Sequence, residues 1–391
     1  MIAAILVVNA GSSSIKFALY PIARSDDDKT PVYSGEIEGI GDVARLRVHD
    51  AGDKRVEDSA IDGTVTHHVA LSVLLKWFAK NSGGVELAAA GHRVVHGGRE
   101  FTGPVKITAD VMRKLEALCP LAPQHQPHNL AAVDALSKLH PKLRQVACFD
   151  TSYHTTQPLV ATAFALPRAL SEKGVRRYGF HGLSYEYIVG ILPEHLGPKA
   201  DGKVVVAHLG HGASMCAMVN RKSIATTMGF SALDGLVMGK RCGALDPGVV
   251  LYLLDHEGMT SKQISHLLYE ESGLFGVSGV SDDMRELLTS YDAHAAEAID
   301  LFVYRIVREL GSLVAALGGL DALVFTGGIG EHAPEIRARV CRQATWLGVR
   351  LDERANARGG PVISESAGSI SVLALKTNEE YVIARQTRNL I

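Results

Sequence analysis

One short plan occurs twice in this chain, and it limits the possible folds more than any other feature. Residues 5–8 are a short apolar run. Asn9, Ala10, Gly11 and a serine triplet follow, and residues 15–19 are apolar again apart from Lys16. About half a chain later, residues 203–207 form an apolar strand, residues 208–212 (His-Leu-Gly-His-Gly) a small-residue turn, and residues 213–219 a second strand. Two strand-like runs joined by such a turn read as a β-hairpin. Its recurrence points to an internal duplication. A chain of 391 residues exceeds one ordinary compact core, so two domains are expected, with the boundary just after Asp150.

Between the hairpins the pattern alternates strand and helix. β-type alternation runs through Val56, residues 65–80 take a helical period, and residues 88–95 and 145–149 read as strands. Helices are expected over residues 109–118, 129–139 and 295–317, from Pro334, and at the end from residues 377–380. Residues 25–29 are polar and acidic and read as an exposed loop. Strands alternating with helices, with Gly-rich turns at strand ends, indicate an α/β architecture.

Composition excludes several function classes. Hydrophobic residues make up 47% and charged residues 21%, a globular profile, and a net charge of -2 gives no pull toward nucleic acid or an anionic membrane. No apolar run reaches the ~20 residues of a membrane span, and the apolar N-terminus lacks the flanks of a signal peptide. Five cysteines without a CxxC pair argue against a disulfide framework or zinc site, and for a reducing cytoplasm.

Three turns could cradle phosphate: residues 9–14, 208–212 and 327–330. Each follows an apolar strand and is built of residues that let backbone N–H groups approach an anion. An ordinary tight turn explains any one of them. Three together, with Lys16 just beyond the first, favour a nucleotide. No GxxxxGK[ST] is present, and no GxGxxG opens a βαβ unit, which argues against a P-loop kinase and a dinucleotide oxidoreductase. Arg93 within a strand-like run and Arg241 between glycines suit a bidentate grip on carboxylate or phosphate. His181 sits between an aromatic residue and glycine. A surface ion pair or an ordinary core histidine accounts for each of these taken singly.

In order along the chain, VVNAGSSSIKF (7–17), GHRVVHGG (91–98), FDTSYH (149–154), RRYGFHG (176–182), HLGHGAS (208–214), TMGFSALDGLVMGKRCGALDPG (227–248), SGLFGVSGVSDDMR (272–285), FTGGIGEH (325–332) and TNEE (377–380) appear. Taken together they resemble the acetate kinase family. That resemblance implies two similar lobes of the actin-like ATPase (ribonuclease H-like) fold with a nucleotide cleft between them. The lobes would be residues 1–152 with 381–391, and residues 153–380. It implies ATP-dependent phosphorylation of acetate or another short-chain fatty acid, with ATP/ADP as co-substrate and Mg²⁺ (Mn²⁺ as substitute) as cofactor, in a cytoplasmic homodimer.

By the same resemblance Asn9 and Glu379 help hold magnesium, while Ser12, Ser14 and Lys16 face the terminal phosphates. Arg93 and Arg241 clamp the substrate carboxylate and the transferring phosphoryl, and His181 joins Arg241 at the transition state. Asp150 is the catalytic carboxylate, as proton carrier or as orienting group. His208, Leu209, Gly210, His211 and Gly212, then Asp283, Met284 and Arg285, then Gly328, Ile329, Gly330, Glu331 and His332 surround the nucleotide. Val95 and Ala232 border the acyl group.

The chain departs from the family pattern in places. Gln124 replaces an apolar residue, Ala232 a proline, and His211 and His332 asparagines; HGTSH reads His181-Gly182-Leu183-Ser184-Tyr185. Ala232 leaves room for a longer acid, so a propionate or butyrate kinase competes with an acetate kinase. A non-catalytic ATP-dependent switch of the same fold would not need Arg93, His181 and Arg241 together. A sugar kinase would need a hydroxyl-reading site with a base, and Asp150 is the one candidate.

Overall fold

The computed structural model describes residues 2–23, 29–81 and 84–391, so the acidic stretch at residues 25–28 lies outside the described residues. The chain divides into two compact units, Met1–Tyr153 with Asn378–Ile391, and His154–Thr377.

In the first unit, β1 (Ile2–Ala10) and β2 (Ser14–Pro21) form the first hairpin, with Asn9 opposite Lys16. β3 (Tyr33–Glu38), β4 (Ala44–Asp50) and β5 (Arg55–Ile61) extend it as an antiparallel meander. On the other side of β1, β6 (Val85–Val94) and then β8 (Arg144–Phe149) add in parallel, and β7 (Val105–Lys106) closes the edge, for an order of 5-4-3-2-1-6-8-7. Ala4 through Val8 are all buried, as a central strand covered on both faces must be. β4 alternates buried with exposed positions and so keeps one face in water.

Two helices, His67–Asn81 and Gln126–Leu139, pack together, and their apolar residues join those of β1, β2 and β4 in one core. The C-terminal helix, Glu379–Arg388, packs on β1, β6 and β8. Gly91 on β6 permits that approach: a Cβ there would lie 2.2 Å from Thr387 Oγ1 and 2.7 Å from Ile383 Cγ2.

The second unit is built around β9 (Val204–Leu209), β10 (Ala213–Val219), β11 (Lys222–Thr226), β12 (Ala322–Thr326) and β13 (Ser371–Ala374), in the order 11-10-9-12-13. β9, β10 and β11 are antiparallel, whereas β12 and β13 add to β9 in parallel. This reproduces the arrangement β3-β2-β1-β6-β8 strand for strand, so the duplicated hairpin seeds the same five-strand sheet in both units. The helix Ala293–Leu317 packs on β9, β10 and β11 through residues such as Phe302, Ile306 and Leu310. Residues 327–330, expected as a loop, instead start a short helix, Gly327–His332, in which Glu331 Oε1 accepts from the Gly327 N–H at 3.1 Å.

Candidate active site

The first unit gathers Asn9, Arg93, Asp150 and Glu379. Asp150, at the end of β8, is buried, and it takes Arg93 in a two-pronged grip, Nε to Oδ1 at 3.0 Å and Nη2 to Oδ2 at 2.6 Å. Arg93 Nη1 donates to Asn9 Oδ1 at 3.3 Å. Burial works against the charged guanidinium, but Asp150 and then Glu379 outweigh it and raise the Arg93 pKa. Glu379 opens the C-terminal helix. Its carboxyl is pushed up to about 7, first by lost hydration, partly offset by Arg93, with repulsion from Asp150 and Glu380 adding to the rise.

Ser12 is exposed in the β1–β2 turn, Ser14 begins β2, and Lys16 projects from β2 into solvent. Val95 is buried, with its backbone N–H donating to Asn129 Oδ1 at 3.0 Å. Gln124, read as one wall of the acyl site, is exposed in the turn before the helix Gln126–Leu139.

Sequence reasoning passed over the residues that hold this strand end. Asn129 Nδ2 reaches the Ala10 carbonyl at 2.7 Å, and Gln126 exchanges two hydrogen bonds of 3.0 Å with the His96 backbone. Both amides are buried on one helix and sit three residues apart. A polar pair at that spacing on the helix face that carries Leu130 and Val133 was the available signal.

In the second unit His181 and Arg241 converge. His181 precedes the helix Gly182–Leu196 with φ of 58°, a left-handed conformation that non-glycine residues take at a cost and that is common at functional sites. A Cβ on Gly212 would lie 2.7 Å from Arg241 Nη2 and 3.2 Å from His181 Nε2, so the missing side chain leaves the space where both tips meet. Arg241 Nη1 donates to the Ala232 carbonyl at 2.7 Å, so Ala232 helps to orient the guanidinium. The His181 ring stacks on His208 with centroids 4.3 Å apart, and Nδ1 of His208 lies 2.8 Å from Ser184 Oγ.

A cavity of about 440 Å³ in the same unit is lined by Gly210, His211, Asp283, Met284, Arg285, Gly328, Ile329 and His332, all read from sequence as nucleotide contacts. Its size falls in the range of small-molecule sites. Asp282, Leu288 and Ala333 line it too and went unread. Asp282 also pairs with His211 Nε2 at 2.9 Å. Leu209 is buried and faces the core. Glu331 turns inward, its Oε1 also accepting from the Thr377 N–H at 3.1 Å, so it braces the turn.

The sequence model of the acetokinase family matches residues 4–385. An acetate kinase of Rhodopseudomonas palustris is 59% identical over 99% of this chain and 98% of its own length. Among solved structures, a propionate kinase from Francisella tularensis superposes with a TM-score of 0.92 at 35% identity, covering 100% of both chains. The acetate kinase of Porphyromonas gingivalis does so with 0.88 at 37% identity, covering 99% of each.

Proposed function

The chain belongs to the acetokinase family and has its α/β fold, and from that premise we propose that it is an acetate kinase, moving the γ-phosphoryl group of ATP reversibly to acetate to give acetyl phosphate and ADP. The observation that carries this reading is the meeting of Arg241 Nη2 and His181 Nε2 over Gly212. Two anions must be brought to bonding distance, and cations and donors fixed beforehand make that possible.

A carboxylate carries no proton at neutral pH, so its attack needs no base. Its oxygen forms the new bond to the γ-phosphorus as the bridging P–O bond breaks, and the bond pair leaves with ADP. Arg241 and His181 supply donors to the transferring group. The two-pronged hold of Asp150 on Arg93 supports an orienting role for the carboxylate rather than proton transfer. Arg93 then meets the acid, and Val95, two residues further on in the same unit, borders its methyl group.

Among the described residues no group of three or more His, Cys, Asp and Glu could cage a metal. Asn9 and Glu379 nevertheless suit a hydrated Mg²⁺, a hard ion that keeps most of its water. The Glu379 carboxyl, raised to about 7 chiefly by lost hydration, is a site that a cation would relieve. Mg²⁺ held there, or Mn²⁺ in its place, would neutralise phosphate charge.

The test is to trap the product with hydroxylamine. Acetate and ATP should yield acetyl hydroxamate, and removing magnesium should abolish it; no hydroxamate with magnesium present sinks the reading. Across two-, three- and four-carbon acids, kcat/KM should be highest for acetate, whereas a propionate optimum would transfer the assignment. Acetate has four heavy atoms, and at a ceiling of ~1.5 kcal/mol each its dissociation constant is no tighter than tens of micromolar.

A homodimer fits the helix Pro247–Asp255, which is rich in apolar residues yet buries none of them, with Leu251 59% and Tyr252 52% exposed. Leu251→Asp should halve the mass seen by sedimentation, and an unchanged mass rules this helix out. Five cysteines without a CxxC pair fit a reducing cytoplasm. Among the described residues no helix is long and apolar enough to cross a membrane.

A further inference from the structure

We propose that Tyr185 and Ser214 are positioning residues that hold His181 as the tautomer with its proton on Nε2, the nitrogen that meets Arg241 over Gly212. The proposal rests on the acetate kinase reading only for its kinetic consequence.

The arrangement is a chain of three groups. His181 Nδ1 lies 2.8 Å from Ser214 Oγ, and Ser214 Oγ lies 2.5 Å from the Tyr185 hydroxyl. Ser214 and Tyr185 are wholly buried. A serine hydroxyl has one proton to give and two lone pairs to receive with. A phenol is the stronger acid of the pair and hence the better donor, so the Tyr185 O–H donates its hydrogen bond to Ser214 Oγ. Burial raises the Tyr185 pKa well above its ordinary value, so that proton stays in place across the working pH range.

Ser214 then has its own proton left for Nδ1 of His181. A neutral imidazole carries one N–H, and a ring that accepts at Nδ1 bears it at Nε2. His181 therefore offers a neutral donor, already aimed, before either anion arrives. Stacking on His208 at 4.3 Å fixes the ring plane in which that donor points. Tyr185 stands where the family motif has histidine, so this chain builds the relay from its own sequence. Two residues of one motif, His181 and Tyr185, enclose the hydroxyl of a third on β10.

The test reads the tautomer directly by correlating ring nitrogens with carbon-bound protons in the full-length protein labelled with ¹⁵N-histidine. His181 is identified by the signal that His181→Asn removes. The resting wild-type protein should show the proton on Nε2. Tyr185→Phe should raise the share protonated on Nδ1, because Ser214, no longer held by the Tyr185 donor, can turn a lone pair instead of its proton toward the ring. In the same variant kcat should fall about tenfold, the size of one transition-state hydrogen bond, with KM for ATP and acid nearly unchanged.

A proton on Nδ1 in the wild type, or an unaltered tautomer in a folded Tyr185→Phe, overturns the proposal. If that variant fails to fold, the wild-type spectrum decides alone. The spectrum is taken without substrate, so loss of the hydroxamate result would remove the activity and leave the tautomer standing, and the reverse holds equally.

Discussion

A guanidinium does in one plane what a lysine ammonium cannot, holding a backbone carbonyl with one nitrogen while presenting another to a ligand. Arg241 is placed in that way, with Nη1 on the Ala232 carbonyl and Nη2 over Gly212. Arg241→Ala should lower turnover by about 10³-fold or more, the scale of a transition-state arginine. Steady-state rates decide, and a loss under about tenfold would remove it from that role. Arg93 is different because its partner is a buried carboxylate. Arg93→Ala strands Asp150 without its ion pair, and such a loss costs about 3–5 kcal/mol. Urea unfolding should show it beside the loss of activity, and an unchanged midpoint would mean Asp150 finds another partner. Both arginines could be picked from sequence, Arg93 as a charge within a strand-like run and Arg241 by the glycines around it. That Asp150 would take Arg93 could not, since 57 residues separate them.

At the scale of elements, the C-terminal helix is tied to the site because it carries Glu379, and its seat depends on one missing methyl group. Gly91→Ala would place a Cβ against Thr387 Oγ1, on a β-branched side chain with little freedom to turn away. We expect a loss of about 1–3 kcal/mol, the usual cost of overpacking. Adding Thr387→Ala should recover part of it, because Thr387 Oγ1 is buried without a hydrogen-bond partner. Thermal unfolding of the single and double variants checks this, and additivity would argue that the two sites do not touch.

The strands were the most legible elements, since runs such as residues 146–149 and 322–325 are apolar throughout and short. Helices in residues 182–196 and 247–278 went unread. Gly190 and Pro193 interrupt the first, and the second stretch holds a helix, Pro247–Asp255, whose apolar residues face outward. Neither shows the one-sided stripe by which a packed helix is recognised.

Across the whole molecule, buried histidines set a limit on acid tolerance. Burial pushes His92 and His96 in the first unit and His154 in the second down to about 4 from an ordinary 6.5. Between those values the unfolded chain binds protons that the folded one refuses. Their contribution is therefore complete above about pH 6.5 and is lost as pH falls toward 4, at about 3 kcal/mol for each histidine. Melting temperature should drop steeply over that window, and a flat profile would mean these rings protonate without unfolding.

The sequence by itself determined the α/β class, the duplicated hairpin and the family, because burial periodicity and turn chemistry are local properties of the chain. Tertiary structure alone decided which polar atoms meet. Ser214 lies 33 residues from His181, and no period along the chain encodes their contact. Such pairings arise only when separate strands and helices pack, where buried donors must find acceptors and the nearest ones belong to distant residues.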